Sequence, residues 1–134
     1  MSENSGDIAD LIVGFIAEKK GQRILVMDLR GLTDIADCFI ICSGASDTQV
    51  KAIADSVIEG MKGSGHRPWH VEGYEDRKWV LIDFIDVVVH IFLEDTRNYY
   101  SLERLWGDAK VEEIEEMVLT FGGKPKSNER DSEE

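Results

Sequence analysis

The sequence predicts an α/β fold, a mixed β-sheet flanked by helices. Three observations carry that prediction. Apolar residues recur at helical spacing near the start and again after Ser46. The runs Cys38–Cys42 and Val87–Leu93 are apolar almost throughout, as strands covered on both faces are. Helical and strand patterns then follow one another in the order α-β-β-α-β-β-β-α-α, which calls for a sheet with helices packed against it.

Each element has its own signal. Ile8, Leu11, Ile12, Phe15 and Ile16 form one apolar stripe on a first helix, with Ser5 or Asp7 as cap and Gly21 as terminator. Ile24 to Leu29 reads as a strand, and Arg30 to Asp37 connects it to the strand Cys38–Cys42. Ser46 and Gln49 have capping-box spacing. A second helix follows with Val50, Ile53, Ala54, Val57, Ile58 and Met61 on its apolar face, and Gly60, Gly63 and Gly65 fray and stop it. With the short segment Arg67 to Glu72, these elements predict a βαβ unit. Lys78 to Asp83 and Val87 to Leu93 predict a hairpin joined at Asp83–Asp86. Asp95 or Thr96 opens a helix through Tyr100, Leu102, Leu105 and Trp106. A last helix is expected over 108–119, with Val111, Ile114 and Val118 inward and Glu112, Glu113, Glu115 and Glu116 outward. Residues 122–134 are expected to be a disordered tail, so a single domain over 1–121 is predicted.

Size and charge narrow the function. The chain has 134 residues, room for one ordinary domain that needs no disulfide or metal to fold. It has 15 Lys+Arg against 27 Asp+Glu, a net charge of −12. Residues 107–134 hold 4 of those bases and 9 of those acids. Such a chain is poorly suited to direct nucleic-acid binding, which draws its affinity from phosphate neutralisation. It suits a basic protein partner. The first ten residues lack a basic region, and Leu11–Ala17 is too short to span a bilayer. No targeting or membrane segment is therefore expected, and a cytoplasmic location is. Cys38 and Cys42 would lie ~13 Å apart on one strand, too far for a disulfide, so two reduced thiols are expected.

Catalytic readings are weak. Ser43-Gly44-Ala45-Ser46 lies between a strand and a helix, where a nucleotide phosphate could sit. It lacks the lysine and the spacing of a P-loop, so Gly44 as turn and Ser46 as cap is the simpler reading. Asp83 and Asp86, at i and i+3, point to opposite faces of a strand and do not converge on a metal. His90, inside an apolar run, is expected to be a core histidine satisfied by a neighbour. His66 and His70 are too few to hold zinc. Cys42 would be a nucleophile only with a depressed pKa. No catalytic residue, cofactor or metal is expected.

The aromatic residues say more. Trp69, Trp79, Trp106, Tyr74, Tyr99 and Tyr100 gather in the second half with Arg97, and such residues dominate protein interfaces. Phe84-Ile85 puts two large apolar residues at a hairpin tip, which invites a partner.

The ordered motifs Asp37-Cys38-Phe39-Ile40-Ile41-Cys42-Ser43-Gly44-Ala45-Ser46, Glu72-Gly73, Trp79-Val80-Leu81-Ile82-Asp83 and Asp86 to Phe92 lead to Arg97-Asn98-Tyr99-Tyr100-Ser101-Leu102-Glu103-Arg104-Leu105-Trp106. Together they resemble the ribosome silencing factor family, also called Iojap-like, over about residues 8–107. The resemblance implies a nucleotidyltransferase-like fold without the catalytic carboxylates. It implies a non-enzymatic factor that binds ribosomal protein fourteen on the large subunit. Bound there, the factor blocks joining of the small subunit and represses translation. By motif position the partner-binding residues are Trp79, Asp83, Phe84, Arg97 and Tyr100. Trp79, Phe84 and Tyr100 would be aromatic anchors, and Asp83 and Arg97 would pair charge or position neighbours. The family usually has glycine where this chain has Ile85. Isoleucine disfavours a left-handed turn, so a differently shaped tip is expected.

Two other readings compete. A nucleotidyltransferase-like enzyme would use the Gly44–Ser46 loop and bind nucleotide with metal. A structural module would homodimerise through the same aromatic surface.

Overall fold

The computed structural model describes residues 5–100 and 110–114, with the side chains of 98–100 and 110–112 outside that description. The helices are α1 (Ser5–Glu18), α2 (Asp47–Gly63) and α3 (Glu94–Tyr100). The strands are β1 (Gln22–Asp28), β2 (Cys38–Gly44), β3 (His70–Glu72), β4 (Trp79–Asp83), β5 (Val87–Leu93) and β6 (Lys110–Ile114). They make one sheet in the order β3-β4-β5-β2-β1-β6. Only the central β2–β5 pair is parallel among the pairings described, and the others are antiparallel.

The apolar runs occupy the centre. Every residue of β2 is buried, and so are the first six of β5. The two strands sit side by side with Ile40 opposite Val89 and Ile41 opposite His90. Strand periodicity sorts their side chains onto two faces. Cys38, Ile40, Cys42, Val87, Val89 and Ile91 join Val80 and Ile82 under α1 and α2, against Ile12, Ile16, Ile53 and Val57. Each fully buried Val or Ile among them contributes ~1.5–3 kcal/mol. Phe39, Ile41, Val88 and Phe92 face the other way, with Leu25 and Met27 of β1 and with Leu29 and Ala36 of the β1–β2 connection.

The ends of α2 follow the sequence signals, whereas the expected caps Asp95 and Thr96 lie inside α3, which starts at Glu94, and Asp7 lies inside α1. At α2, the Ser46 hydroxyl accepts from Gln49 N at 3.1 Å and Gln49 Oε1 accepts from Ala45 N at 2.6 Å, completing the capping box. The same helix stops where Gly65 takes φ +92° and His66 N donates back to Met61 O. At α1 the positive φ belongs to Lys20, at +62°, and Gly21 N donates to Ile16 O. Gly21 is needed for closeness, because a Cβ there would strike the Ile16 side chain. Ser5 already lies within α1, and its hydroxyl donates to Asp37 Oδ2 at 2.7 Å.

Two expectations change. Residues 110–114 are a strand instead of part of a helix over 108–119, pairing antiparallel with β1 from Asp28↔Lys110 to Ile24↔Ile114. Val111 and Ile114 fit a helical stripe, but the free edge of β1 offers unpaired backbone groups, and pairing there overrides local propensity. The βαβ unit is present in direction only. β3 runs parallel to β2, but β5 and β4 lie between them. The remainder of the helix expected through Trp106, and the tail 122–134, lie outside the described residues.

Candidate functional site

β4 and β5 set the geometry of the candidate partner face. Their antiparallel register places Trp79 opposite Phe92, Leu81 opposite His90 and Asp83 opposite Val88. Trp79 and Leu81 are half-buried and pack on the face away from α1 and α2. The Trp79 ring lies 4.9 Å from the Phe92 ring, and its Nε1–H donates to His90 Nδ1 at 3.1 Å. His90 is 4% exposed and is flanked by Phe39, with ring centroids 4.5 Å apart. Burial pushes the His90 pKa down to about 4, so at neutral pH the imidazole is uncharged. Its Nδ1 accepts, so its proton sits on Nε2. The core histidine expected from the sequence is therefore also the partner of the candidate anchor.

The hairpin tip differs in part from expectation. Phe84 N donates to Val87 O at 2.9 Å, closing a tight turn, and Ile85 takes φ +78°. The backbone thus keeps the positive φ that glycine would favour, with a branched residue in place. Asp83 Oδ1 helps hold it by accepting from Ile85 N at 2.7 Å. Phe84 is not a free apolar tip. It is half-buried against the core beneath α1 and α2, and Ile85 alone of the two is exposed.

Arg97 is the largest correction to a surface picture of the site. It is 1% exposed. Its Nη1 donates to Arg23 O, at 2.6 Å, and to the Ser43 hydroxyl, at 2.9 Å. A guanidinium so enclosed anchors α3 to the ends of β1 and β2 and does not offer its charge to solvent. Tyr100 closes α3, and its side chain lies outside the described residues.

The features considered for catalysis take structural parts. Gly44 is buried at the end of β2, where a Cβ would press on Val50 of α2. Gln49 Nε2 donates to the carbonyls of Lys19 and Lys20, so this side chain ties the start of α2 to the end of α1. Cys38 and Cys42 are free, buried thiols. Burial pushes Cys42 up to about 12 and Cys38 up to about 11, the reverse of nucleophile activation. His70 pairs with Glu72 at 2.7 Å. Among the described residues no group of three His, Cys, Asp or Glu is placed to hold a metal ion. No helix among them is long and apolar enough to cross a membrane.

A family described as ribosomal silencing factor during starvation matches residues 2–134. The chain belongs to the ribosomal silencing factor family. A ribosomal silencing factor of Halalkalibacterium halodurans is 42% identical over 112 residues, covering 84% of this chain and 96% of that one. A mouse protein named for mitochondrial assembly of the ribosomal large subunit is 29% identical over 100 residues, covering 72% of this chain and 44% of that one. A crystal structure of a Chromobacterium violaceum protein superposes with a TM-score of 0.77 at 38% identity, covering 78% of this chain and 88% of that one. Silencing factors of this family are ribosome-associated regulators of translation, which points to a non-enzymatic protein with a ribosomal partner. The mixed sheet and its helices are the family fold.

What the sequence missed was the bond between Trp79 and His90. A signal for it existed. A tight turn at Ile85-Asp86 fixes the register, and the register sets Trp79 and His90 on one face one pair apart.

Proposed function

We propose that this protein binds ribosomal protein fourteen on the large ribosomal subunit and sterically blocks joining of the small subunit. Trp79, Asp83, Phe84, Arg97 and Tyr100 would make or support the contact. The observation that carries the reading is the half-buried Trp79 indole, braced by Phe92 and His90 on the face not covered by α1 and α2. A half-exposed, braced aromatic is the kind of group that dominates interfaces, because little rotamer freedom is lost on binding. The net charge of −12 favours a basic ribosomal protein and speeds encounter with it. The mouse relative's name, which refers to the large subunit, supports that subunit as the target.

The proposed parts differ in kind. Trp79 and Tyr100 are anchors. Asp83 fixes the hairpin and can present its second oxygen. Phe84 supports the turn from below. Arg97 acts from inside, by holding α3 and with it the position of Tyr100.

Sedimentation with separated ribosomal subunits tests this. Comigration with large subunits and fewer joined ribosomes are expected. Trp79→Ala or Tyr100→Ala should weaken large-subunit binding by ~2 kcal/mol, or ~30-fold. A double variant with an intact circular dichroism spectrum and unchanged binding would remove these residues from the site. No comigration at low salt would remove the reading.

A further inference from the structure

The large apolar side chains left exposed among the described residues are Leu32 at 44%, Ile35 at 69%, Trp69 at 71% and Ile85 at 59%. All four lie at one end of the sheet. β1 and β4 finish there, and β2, β3, β5 and β6 begin there. Hydrogen bonds join the three connections that carry them. Trp69 N donates to Asp83 O at 2.7 Å, and Asp37 N and Cys38 N both donate to Asp86 O. Leu29 N donates to Asp37 O. The rim so formed spans five adjacent strands, ~19 Å at ordinary strand spacing.

Two properties single it out. Ile85 keeps a large apolar group in solvent at φ +78°, where glycine would remove the backbone strain. The rim is also acidic. Asp34, Asp37, Asp83 and Asp86 sit among the apolar residues, and none of them is paired with a cation among the described residues. Arg30 is held by Asp28 at 2.8 Å, and the other bases described at this end are Arg67, which is exposed, and Lys110, which stands opposite Asp28 at the start of β6, against the four carboxylates.

We infer that this rim is a docking surface for a basic protein segment that carries apolar anchors. The apolar residues would take the anchors, and the four carboxylates would pair with lysine or arginine beside them. Nucleic acid and anionic lipid would bring negative charge to the same carboxylates. A second copy of this chain, itself at −12, would do so as well. The rim meets the residues proposed for the ribosomal contact at Asp83 and Phe84, but Leu32, Ile35, Trp69 and Ile85 lie outside that set, so substituting them tests the rim apart from the ribosomal reading.

The test uses the full chain and a synthetic amphipathic peptide of lysine and leucine, with a lysine-matched peptide bearing serine for leucine. The leucine peptide is expected to bind at least ~10-fold tighter than its serine counterpart, as loss of even one modest anchor would produce. Amide shifts should concentrate in residues 30–37, 67–70 and 83–87. Trp69→Ser with Ile85→Gly should cost ~10-fold or more, and Leu32→Ser with Ile35→Ser should do the same, so that one misfolded variant does not decide the matter. Equal binding of the two peptides, shifts centred elsewhere, or indifference of both folded variants would overturn the inference. So would a self-association in sedimentation equilibrium that either variant abolishes, because a second copy would then be the occupant.

Discussion

Trp79 and His90 are joined across the β4–β5 pair by an indole N–H that donates to Nδ1 at 3.1 Å. The bond requires the neutral imidazole, because a protonated one has no acceptor. A buried, uncharged histidine thereby restrains the orientation of the ring proposed as the chief anchor. The arrangement links the chemistry of the core to the shape of the surface.

Folding stability should fall in mild acid because of His90. His90 has a folded pKa of about 4 against 6.5 for the free side chain. As pH falls, the unfolded chain takes up this proton first. Stability from the neutral His90 is full above about 6.5 and is lost as pH falls toward about 4. The loss is on the order of 3 kcal/mol across that window. Urea unfolding at pH 7 and pH 4.5 should show it, and His90→Gln should reduce the difference. An unchanged difference would mean other groups cause the acid sensitivity.

Arg97 should be a stability residue. Arg97→Ala removes the donor to Ser43 and to the Arg23 carbonyl and leaves a cavity under α3. A loss of ~3 kcal/mol is expected by chemical denaturation. Arg97→Lys should recover less than half, because an ammonium cannot reproduce the planar donor geometry. A loss below ~0.5 kcal/mol, the scale of ordinary surface substitutions, would return Arg97 to the surface.

Ile85→Gly should stabilise the protein. The backbone at φ +78° is strained for a branched residue and open to glycine. Relief of that strain exceeds the added entropy of the unfolded chain, for a net gain of ~1 kcal/mol. Thermal melting reads the change. A lower melting temperature would show that the isoleucine side chain contributes more than its backbone costs.

Gly73→Ala should do the opposite. Gly73 has φ +78°, and a Cβ there would collide with the Trp79 carbonyl oxygen. The loop before β4 would have to move, at a cost of ~2–4 kcal/mol. Trp79 indole resonances should shift as its strand adjusts. An unshifted spectrum with native stability would contradict the close approach.

Much of the fold was legible. The stripe from Ile8 to Ile16, the capping box at Ser46 and Gln49, and the apolar runs of β2 and β5 are local patterns with local causes, and each formed its expected element. The Asp83–Asp86 connection was legible as a hairpin because two strand patterns flank it. Its tip was not, because Ile85 breaks the glycine rule and the turn is held by the Asp83 side chain, by the paired strands and by backbone bonds from Asp37 and Cys38 to Asp86. Residues 110–114 were misread because Val111 and Ile114, three apart, match helical spacing, whereas the open edge of β1 offers backbone pairing that no local pattern signals.

The sequence by itself determined the class of fold, the family, the acidic character and the aromatic weight of the second half, because composition, periodicity and motif order are properties of the chain alone. Tertiary structure decided which side chains meet. It drew Arg97 inward to Ser43, turned Phe84 toward the core, set Trp79 on His90 and gathered four exposed apolar residues at one end of the sheet. Those outcomes depend on pairing register and on contacts between residues as many as 74 positions apart. Loop closure over such distances is stabilised only by the assembled core, so no local pattern encodes it.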